Sequence, residues 1–403
     1  MLRKPLPAAS VRRLGLTLLI SLGLGTLFLT VAVRVVHSLD YVNSDFFTFW
    51  LGARMAWTEE DPYSSEDWLS AHDKYGVEWI PNPTFPYPLP LATLLAPLGL
   101  LPFELAYVAW VVLSQMMTML SLGLLLLLWD STLAKRYAMP LIAGLIVFRP
   151  FLVTLRNGQL GAFLLLVLTI TVVLWARAHW LVGGAAAALL ALKPSLGMPL
   201  IVLLALWCLL RAKPRALLGL LLGGASLLVI GWIEEPLWVS QFVTIGETKL
   251  VLNFGFSPTV WGLAHSVCSG ASKCALPLGG VAALAALAMV GAVFWRGRRR
   301  LGPAFAASVA IPVVLLITPY LWAYDQILLI LPLAVVVMGM AESGIGYLRA
   351  ALIPLGISVL ALGLLFLAGS FGSDVWSAVV PLAILALVVW RIRVQRSEEA
   401  VLR

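Results

Sequence analysis

The sequence predicts an all-α polytopic membrane protein, one integral membrane domain over 1–403, and three observations carry that prediction. Of the 403 residues, 61% are hydrophobic and only 11% charged, where a soluble domain carries about 25% charged residues. Apolar runs of near-spanning length recur from end to end. Lysine and arginine gather in one set of connections and the acids in the other, the pattern that orients membrane helices. No stretch remains for a sizeable soluble domain, so any chemistry must sit on loops and helix ends.

Taken in order, Met1–Arg13 carries Arg3, Lys4, Arg12 and Arg13 ahead of a long apolar run without an obvious cleavage site, which reads as a signal anchor. Spans are expected near 14–36, 105–129, 137–154, 158–176, 180–192, 196–211, 215–233, 275–295, 303–318, 325–340, 350–368 and 374–391. That gives about twelve, within a range of eleven to thirteen, with both termini inside. The stretch 83–101 is apolar but proline-rich; it reads as a re-entrant or surface-lying helix, with a thirteenth span as the alternative.

On this map the inside connections hold most of the 27 lysines and arginines, including Arg211, Lys213, Arg215, Arg296, Arg298, Arg299 and Arg300. Of the 19 acids they hold Asp130, Glu342, Glu398 and Glu399. The net charge of +8 therefore reflects topology and not a nucleic-acid partner. Outside fall the first long loop, 37–104, with interfacial helices, the second long loop, 234–274, and the short segments Arg156–Gln159, Lys193–Ser195 and Pro319–Asp325. The unusual polar clusters thus collect on one face, and no inverted repeat stands out.

Several functions are excluded by what is missing. No HExxH, Cys-x-x-Cys or Asp-x-Asp pattern suggests a metal, and no Walker or dinucleotide glycine pattern suggests direct use of ATP or a nucleotide cofactor. Neither metal nor cofactor is expected. Cys208 lies in an apolar span and reads as inert. Cys268 and Cys274 share an outside loop, where a disulfide and two thiols are both open readings.

Within the first loop, Phe46, Phe49, Trp50, Ala53, Ala56 and Trp57 recur at helical spacing, which predicts an amphipathic helix lying in the membrane surface. Asp45 stands at its start among aromatic rings. It is either a helix cap, with Asn43 and Ser44 as rivals, or a desolvated carboxylate suited to general-base work. Arg54, Arg156, Lys193 and Lys249, with Arg149 seven residues before Arg156, would ring an anionic headgroup near the outer interface. The competing reading for these cations is snorkelling. Tyr320, Trp322 and Asp325 form an aromatic cluster ending in an acid, which equally resembles an interfacial belt with a helix cap. His265 is a lone histidine with a structural alternative, and Glu59, Glu60, Asp61, Glu66 and Asp67 read as a solvated face.

These motifs have an order. Asp45-Phe-Phe-Thr-Phe-Trp followed by Asp61-Pro-Tyr resembles the first extracytoplasmic loop of GT-C membrane glycosyltransferases. Phe85-Pro-Tyr87-Pro-Leu-Pro-Leu with Ala96–Pro102, Asn157-Gly-Gln159-Leu-Gly, Ala191-Leu-Lys193-Pro, Asn253–Ser257 and Thr318–Asp325 together resemble glycosyltransferase family 87 over roughly 40–335. Two departures are Tyr-Pro-Leu-Pro where the family favours Tyr-Pro-Pro, and Glu-Glu-Asp-Pro-Tyr in place of a glycine before Pro-Tyr. The resemblance implies a GT-C-like bundle that moves a hexose, most often mannose, from a polyprenyl-phosphate donor to a lipid or glycan acceptor on the outer face, with inversion. Asp45 matches the family's base, and Tyr87, Asn157, Gln159, Tyr320, Trp322 and Asp325 fall in motifs expected to hold substrate; His265, outside those motifs, is a further substrate-binding candidate. The implied partners are the lipid-linked donor, the acceptor and membrane lipids. The rival reading is a transporter or flippase of lipid-linked sugars without transferase activity.

Overall fold

The computed structural model describes residues 8–37, 43–58, 60–77, 80, 82–249 and 254–401; the side chains of 8–22, 245–249, 254, 371 and 395–401 are not among those described. Asn253 therefore lies outside the described residues, as do the side chains of Arg12, Arg13 and Lys249. The described residues form helices and turns with no strand. Helix α1 (Ala8–His37) is followed by α2 (Asp45–Met55), α3 (Ser65–Lys74), α4 (Leu89–Gly99) and the long α5 (Phe103–Leu126). Next come α6 (Ser131–Ile146), α7 (Arg149–Asn157), α8 (Gly161–Ala176), α9 (Trp180–Ala188) with a 3-10 turn Leu189–Leu192, α10 (Pro194–Leu210) and α11 (Pro214–Glu234). The short α12 (Trp238–Lys249) and α13 (Val260–Val267) precede α14 (Ser272–Gly297) and α15 (Pro303–Ile317). A 3-10 helix Ala323–Leu329 runs into α16 (Ile330–Glu342), and α17 (Tyr347–Phe371) and α18 (Val379–Val401) close the chain.

Each stretch expected to span carries a helix, but the count by length and composition differs. Among the described residues, six segments are long and apolar enough to cross a membrane, or seven if α6 and α7, bent by 58°, make one span. The others are shorter: α8 has 16 residues, α10 has 17 and α15 has 15. Their setting suits that length. Every residue of α15 from Ala306 to Leu316 is buried inside the protein, so this helix has little need to match the lipid thickness. Helices α11 and α14 show the opposite, with exposed Leu221, Leu222, Val281 and Leu284 facing outward. The expected single span 137–154 is corrected to two helices, because Pro150 lacks an N–H and starts a new helix instead of continuing α6. The stretch 83–101 forms α4, whose 11 residues are too short to span.

The helices that carry the polar segments pack closely where small residues permit. A Cβ on Gly184 would meet the Ala216 carbonyl oxygen at 2.1 Å, and one on Gly219 would meet the Leu181 oxygen at 2.0 Å. Helices α9 and α11 thus touch backbone to backbone, the arrangement that small residues allow between membrane helices.

Two ends of the bundle can be told apart by their contacts. Helix α10 leaves Lys193 and reaches Arg211, whose Nη1 donates to the Arg298 carbonyl at 3.0 Å. Trp207 Nε1 donates to the Leu301 carbonyl at 3.3 Å, and at the far end of α15 Thr318 Oγ1 donates to the Ser195 carbonyl at 3.4 Å. The arginine-rich turns 211–215 and 296–300 therefore share one end, and Lys193, Ser195 and Thr318 share the other. Seventeen residues of α10 separate them, about 25 Å at 1.5 Å per residue.

The first loop departs from expectation. Helix α2 forms where the spacing predicts, but Phe46, Phe47, Thr48, Phe49, Trp50, Leu51, Gly52, Ala53 and Met55 are all buried. It is not an amphipathic surface helix. A helix apolar on every side is stable only when enclosed, and α4, α5 and the Phe85 segment enclose it. Its own side chains cap its neighbour. Trp50 Nε1 donates to the Leu101 carbonyl at 3.1 Å, Arg54 Nη1 to Gly99 at 2.9 Å and Trp57 Nε1 to Ala96 at 2.6 Å. These are carbonyls at the C-terminus of α4, which have no partners within the helix.

Candidate functional site

Four segments from distant parts of the sequence meet at the first residue of α2. Asp45 opens that helix, while the preceding Ser44 occupies the cap position without a side-chain cap bond. Stacking of Phe46 on Tyr107, with centroids 4.8 Å apart, and of Phe46 near Trp110 at 6.0 Å fixes α2 against α5.

The turn after α7 delivers the second residue. Gly158 ends the helix at φ +62°, and a Cβ there would lie 2.5 Å from Phe46 Cβ and 2.9 Å from the Tyr107 ring. Only glycine suits both the left-handed backbone and the close approach. Trp110 Nε1 donates to the Gly158 carbonyl at 2.8 Å, and the Tyr107 hydroxyl donates to the Arg156 carbonyl. Gln159 then follows, 1% exposed, and its Nε2 donates to Asp45 Oδ2 at 2.7 Å.

Lys193 comes from the corner between the 3-10 turn Leu189–Leu192 and α10, with backbone φ −125° and ψ 82°. Its Nζ donates to Gln159 Oε1 at 3.2 Å, forms an ion pair with Asp325 Oδ1, and sits 5.1 Å from the centre of the Tyr324 ring. Lys193 is 6% and Asp325 3% exposed. The other Asp325 oxygen accepts from the Trp322 N–H at 3.3 Å. The sequence offered helix capping or a site role for Asp325; the residue accepts from the backbone N–H that opens its own 3-10 helix and also pairs with Lys193.

A continuous path of polar contacts therefore runs Asp325, Lys193, Gln159, Asp45. Burial pushes the Asp45 carboxyl above its ordinary 3.8; the Gln159 hydrogen bond and the Lys193 charge pull it back down, and the Asp325 charge raises it. Asp45 Oδ1 has no hydrogen-bond partner among the described residues. Tyr87 and Tyr320 border the same centre: burial first, then the charges of Asp45 and Asp325, raise both phenols. Trp322 Nε1 donates to the Tyr320 hydroxyl at 2.9 Å.

The remaining expected site residues are placed differently. Arg54 is taken up by the Gly99 carbonyl and lies 5.6 Å from the Trp50 ring centre. Arg149, buried, pairs with Asp374 at 2.8 Å and donates to Ser377 Oγ at 2.8 Å. Arg156 is exposed and Asn157 half-buried beside the Gln159 turn. The His265 ring packs against Gly255 and lines a cleft with Trp261, Ser272, Ala275 and Leu276. Cys268, ahead of α14, and Cys274, in its first turn, form a disulfide, and Cys208 is buried and free.

Sequence reasoning missed Tyr107, Trp110 and the Arg149 partner, and took Tyr324 only as part of the aromatic cluster before Asp325. Phe103, Tyr107 and Trp110 recur at helical spacing, a legible stripe that points at Phe46. Asp374, at the start of the last expected span, was an acid available to a buried arginine.

These features define a class: a polytopic helical membrane protein that assembles a charged polar centre from the ends of several helices. The chain belongs to glycosyltransferase family 87, whose model matches residues 85–319, more than half of its length. The match takes in Tyr87, the Arg156–Gln159 turn and Lys193, and leaves Asp45 and Asp325 outside it. No curated protein and no solved structure matches the chain.

Proposed function

We propose that this glycosyltransferase moves a hexose, mannose being the first choice, from a polyprenyl-phosphate donor to a lipid or glycan acceptor, with Asp45 as general base. The observation that carries the reading is the Asp45 carboxylate itself: half-buried, fixed through Oδ2 by Gln159, with Oδ1 unpartnered within the described residues. Oδ1 takes the proton of the acceptor hydroxyl as that oxygen bonds to the anomeric carbon. The bond from that carbon to the donor phosphate breaks, and the lipid phosphate leaves with the electron pair. Attack opposite the leaving group inverts the anomeric centre.

The departing phosphate needs positive charge. Arg156, exposed one turn from Gln159, supplies it, and Lys249 is the second cation assigned to the donor. Tyr87, Asn157, Tyr320 and Trp322 border the sugar, with aromatic faces against its apolar side. His265 is assigned to the acceptor side through α13, because Trp261 Nε1 donates to the Ile317 carbonyl at 2.7 Å next to the Tyr320 segment.

The site is assigned to the extracytoplasmic face and both termini to the cytoplasm. Two observations support this orientation. The turns 211–215 and 296–300 lie at the end of the bundle away from Lys193, and basic turns stay inside. The disulfide stands at the opposite end of α14 from Arg296, and disulfides persist in oxidising compartments.

Asp45→Asn tests the reading. The amide keeps the shape and an oxygen to accept from Gln159, but takes up no proton at neutral pH. Transfer from a short-chain polyprenyl-phosphate mannose in nanodiscs falls at least ~100-fold, within the 10²–10⁴ typical of a general base, while the unfolding temperature does not drop. Near-normal turnover would remove Asp45 from the chemistry and bring the transporter reading forward.

A further inference from the structure

We infer that Lys193 and Gln159 are positioning residues for the Asp45 carboxylate, linked to Asp325 as a charge-to-amide relay, and not ligands of the donor phosphate. The inference rests on the assignment of Asp45 as base and adds what prepares it.

The donor inventory of Lys193 is the first reason. An ammonium has three N–H groups and no acceptor. Here Asp325 Oδ1, Gln159 Oε1 and the face of Tyr324 surround it. With the residue 6% exposed, no N–H is left for a phosphate oxygen.

The second reason is the amide of Gln159. Because Lys193 only donates, the glutamine must turn its oxygen toward it, and its Nε2–H groups then face Asp45. A fixed donor at that place favours the ionised carboxylate. It also occupies Oδ2 alone, so Oδ1 is the oxygen presented to an incoming hydroxyl. The relay selects which oxygen works, and passes the orienting effect of a buried cation to a carboxylate that it does not hydrogen-bond itself.

The charged and titratable groups around Asp45 come from several elements: Lys193 before α10, Asp325, Tyr320 and Tyr324 from the segment before α16, Tyr87 before α4, and Tyr107 on α5. The charge of Arg156 reaches Tyr107, and His72 lies behind Phe47, with ring centres 5.2 Å apart. Within this set Lys193 is the cation that acts on Asp45 itself. Its removal therefore makes ionisation of Asp45 harder, and activity, present above the Asp45 titration and lost as pH falls through it, should be lost at a higher pH.

The experiment compares wild type, Gln159→Leu and the double variant Lys193→Met with Asp325→Asn, all full-length in nanodiscs. The first variant leaves the ion pair intact; the second removes both buried charges together, so each has a route to a folded protein. Transfer is measured against pH, with kcat and donor KM separated. In parallel the Asp45 carboxyl band is titrated by infrared spectroscopy, assigned by its loss in Asp45→Asn. The expected result for Gln159→Leu is an acid limb of kcat moved about one pH unit upward, so that kcat below the limb is ~tenfold lower and is regained at alkaline pH, with donor KM held within about twofold. In the double variant, where the lost Lys193 and Asp325 charges act on Asp45 in opposite directions, the limb moves less. The infrared titration moves the same way. An unmoved acid limb with a donor KM raised about tenfold would overturn the inference and make Lys193 and Gln159 donor ligands. An unmoved limb with unchanged kcat would overturn it as well. If wild type transfers nothing from this donor while the infrared titration still shifts between variants, the assigned substrate fails and the relay stands.

Discussion

Removing one charge of the Lys193–Asp325 pair should destabilise the protein far more than removing both. In Lys193→Met the Asp325 carboxylate, 3% exposed, keeps a single hydrogen bond, from the Trp322 N–H at 3.3 Å. Breaking a buried pair costs about 3–5 kcal/mol; the retained Trp322 donor offsets part of that cost, so about 3 kcal/mol is expected. Adding Asp325→Asn abolishes the stranded charge, and the double variant should return to within about 1 kcal/mol of wild type. The coupling between the two positions is then about 2 kcal/mol or more, which a double-mutant cycle resolves. The measurement is tryptophan-fluorescence unfolding of all four proteins in the same nanodiscs. Effects that simply add, with coupling under about 0.5 kcal/mol, would mean that the two residues are not an energetic unit. The relay to Asp45 would then lose its anchor.

Arg54→Met removes a charged hydrogen bond to the Gly99 carbonyl and a contact with the Trp50 ring. Stability should fall by about 2 kcal/mol with donor KM unchanged, and a raised KM at normal stability would restore its phosphate-binding role. For topology, single cysteines at positions 296–300, on a background lacking the native cysteines, should resist an impermeant maleimide applied from outside, whereas positions 60–75 should label. Outside labelling at 296–300 would reverse the orientation and move the site to the cytoplasmic face.

The outcome for individual residues shows where sequence reading stops. Hydropathy placed a helix at every expected span, because apolar length and polar breaks are local properties. Asp45, Gln159, Lys193 and Asp325 all stood out beforehand as polar residues at helix ends in a chain with few charges. Their assembly did not, because Asp45 meets Gln159 across 114 positions and Lys193 meets Asp325 across 132. Nothing local to any of them names its partner. For the same reason Arg54 and Lys193 looked alike in sequence, as cations near an outer interface. Tertiary packing gave Arg54 to a helix terminus and Lys193 to a carboxylate.

By itself the sequence determined the class of protein, the helical course of the chain and the short roster of residues able to do chemistry. Periodicity also located α2, but could not say whether its polar side met water. Only the tertiary structure decided that this helix is enclosed on all sides, that Arg149 pairs with Asp374, and that an amide stands between Lys193 and Asp45. Burial and hydrogen-bond partnership are properties of what surrounds a residue, and in a membrane bundle those surroundings come from helices far apart in the chain.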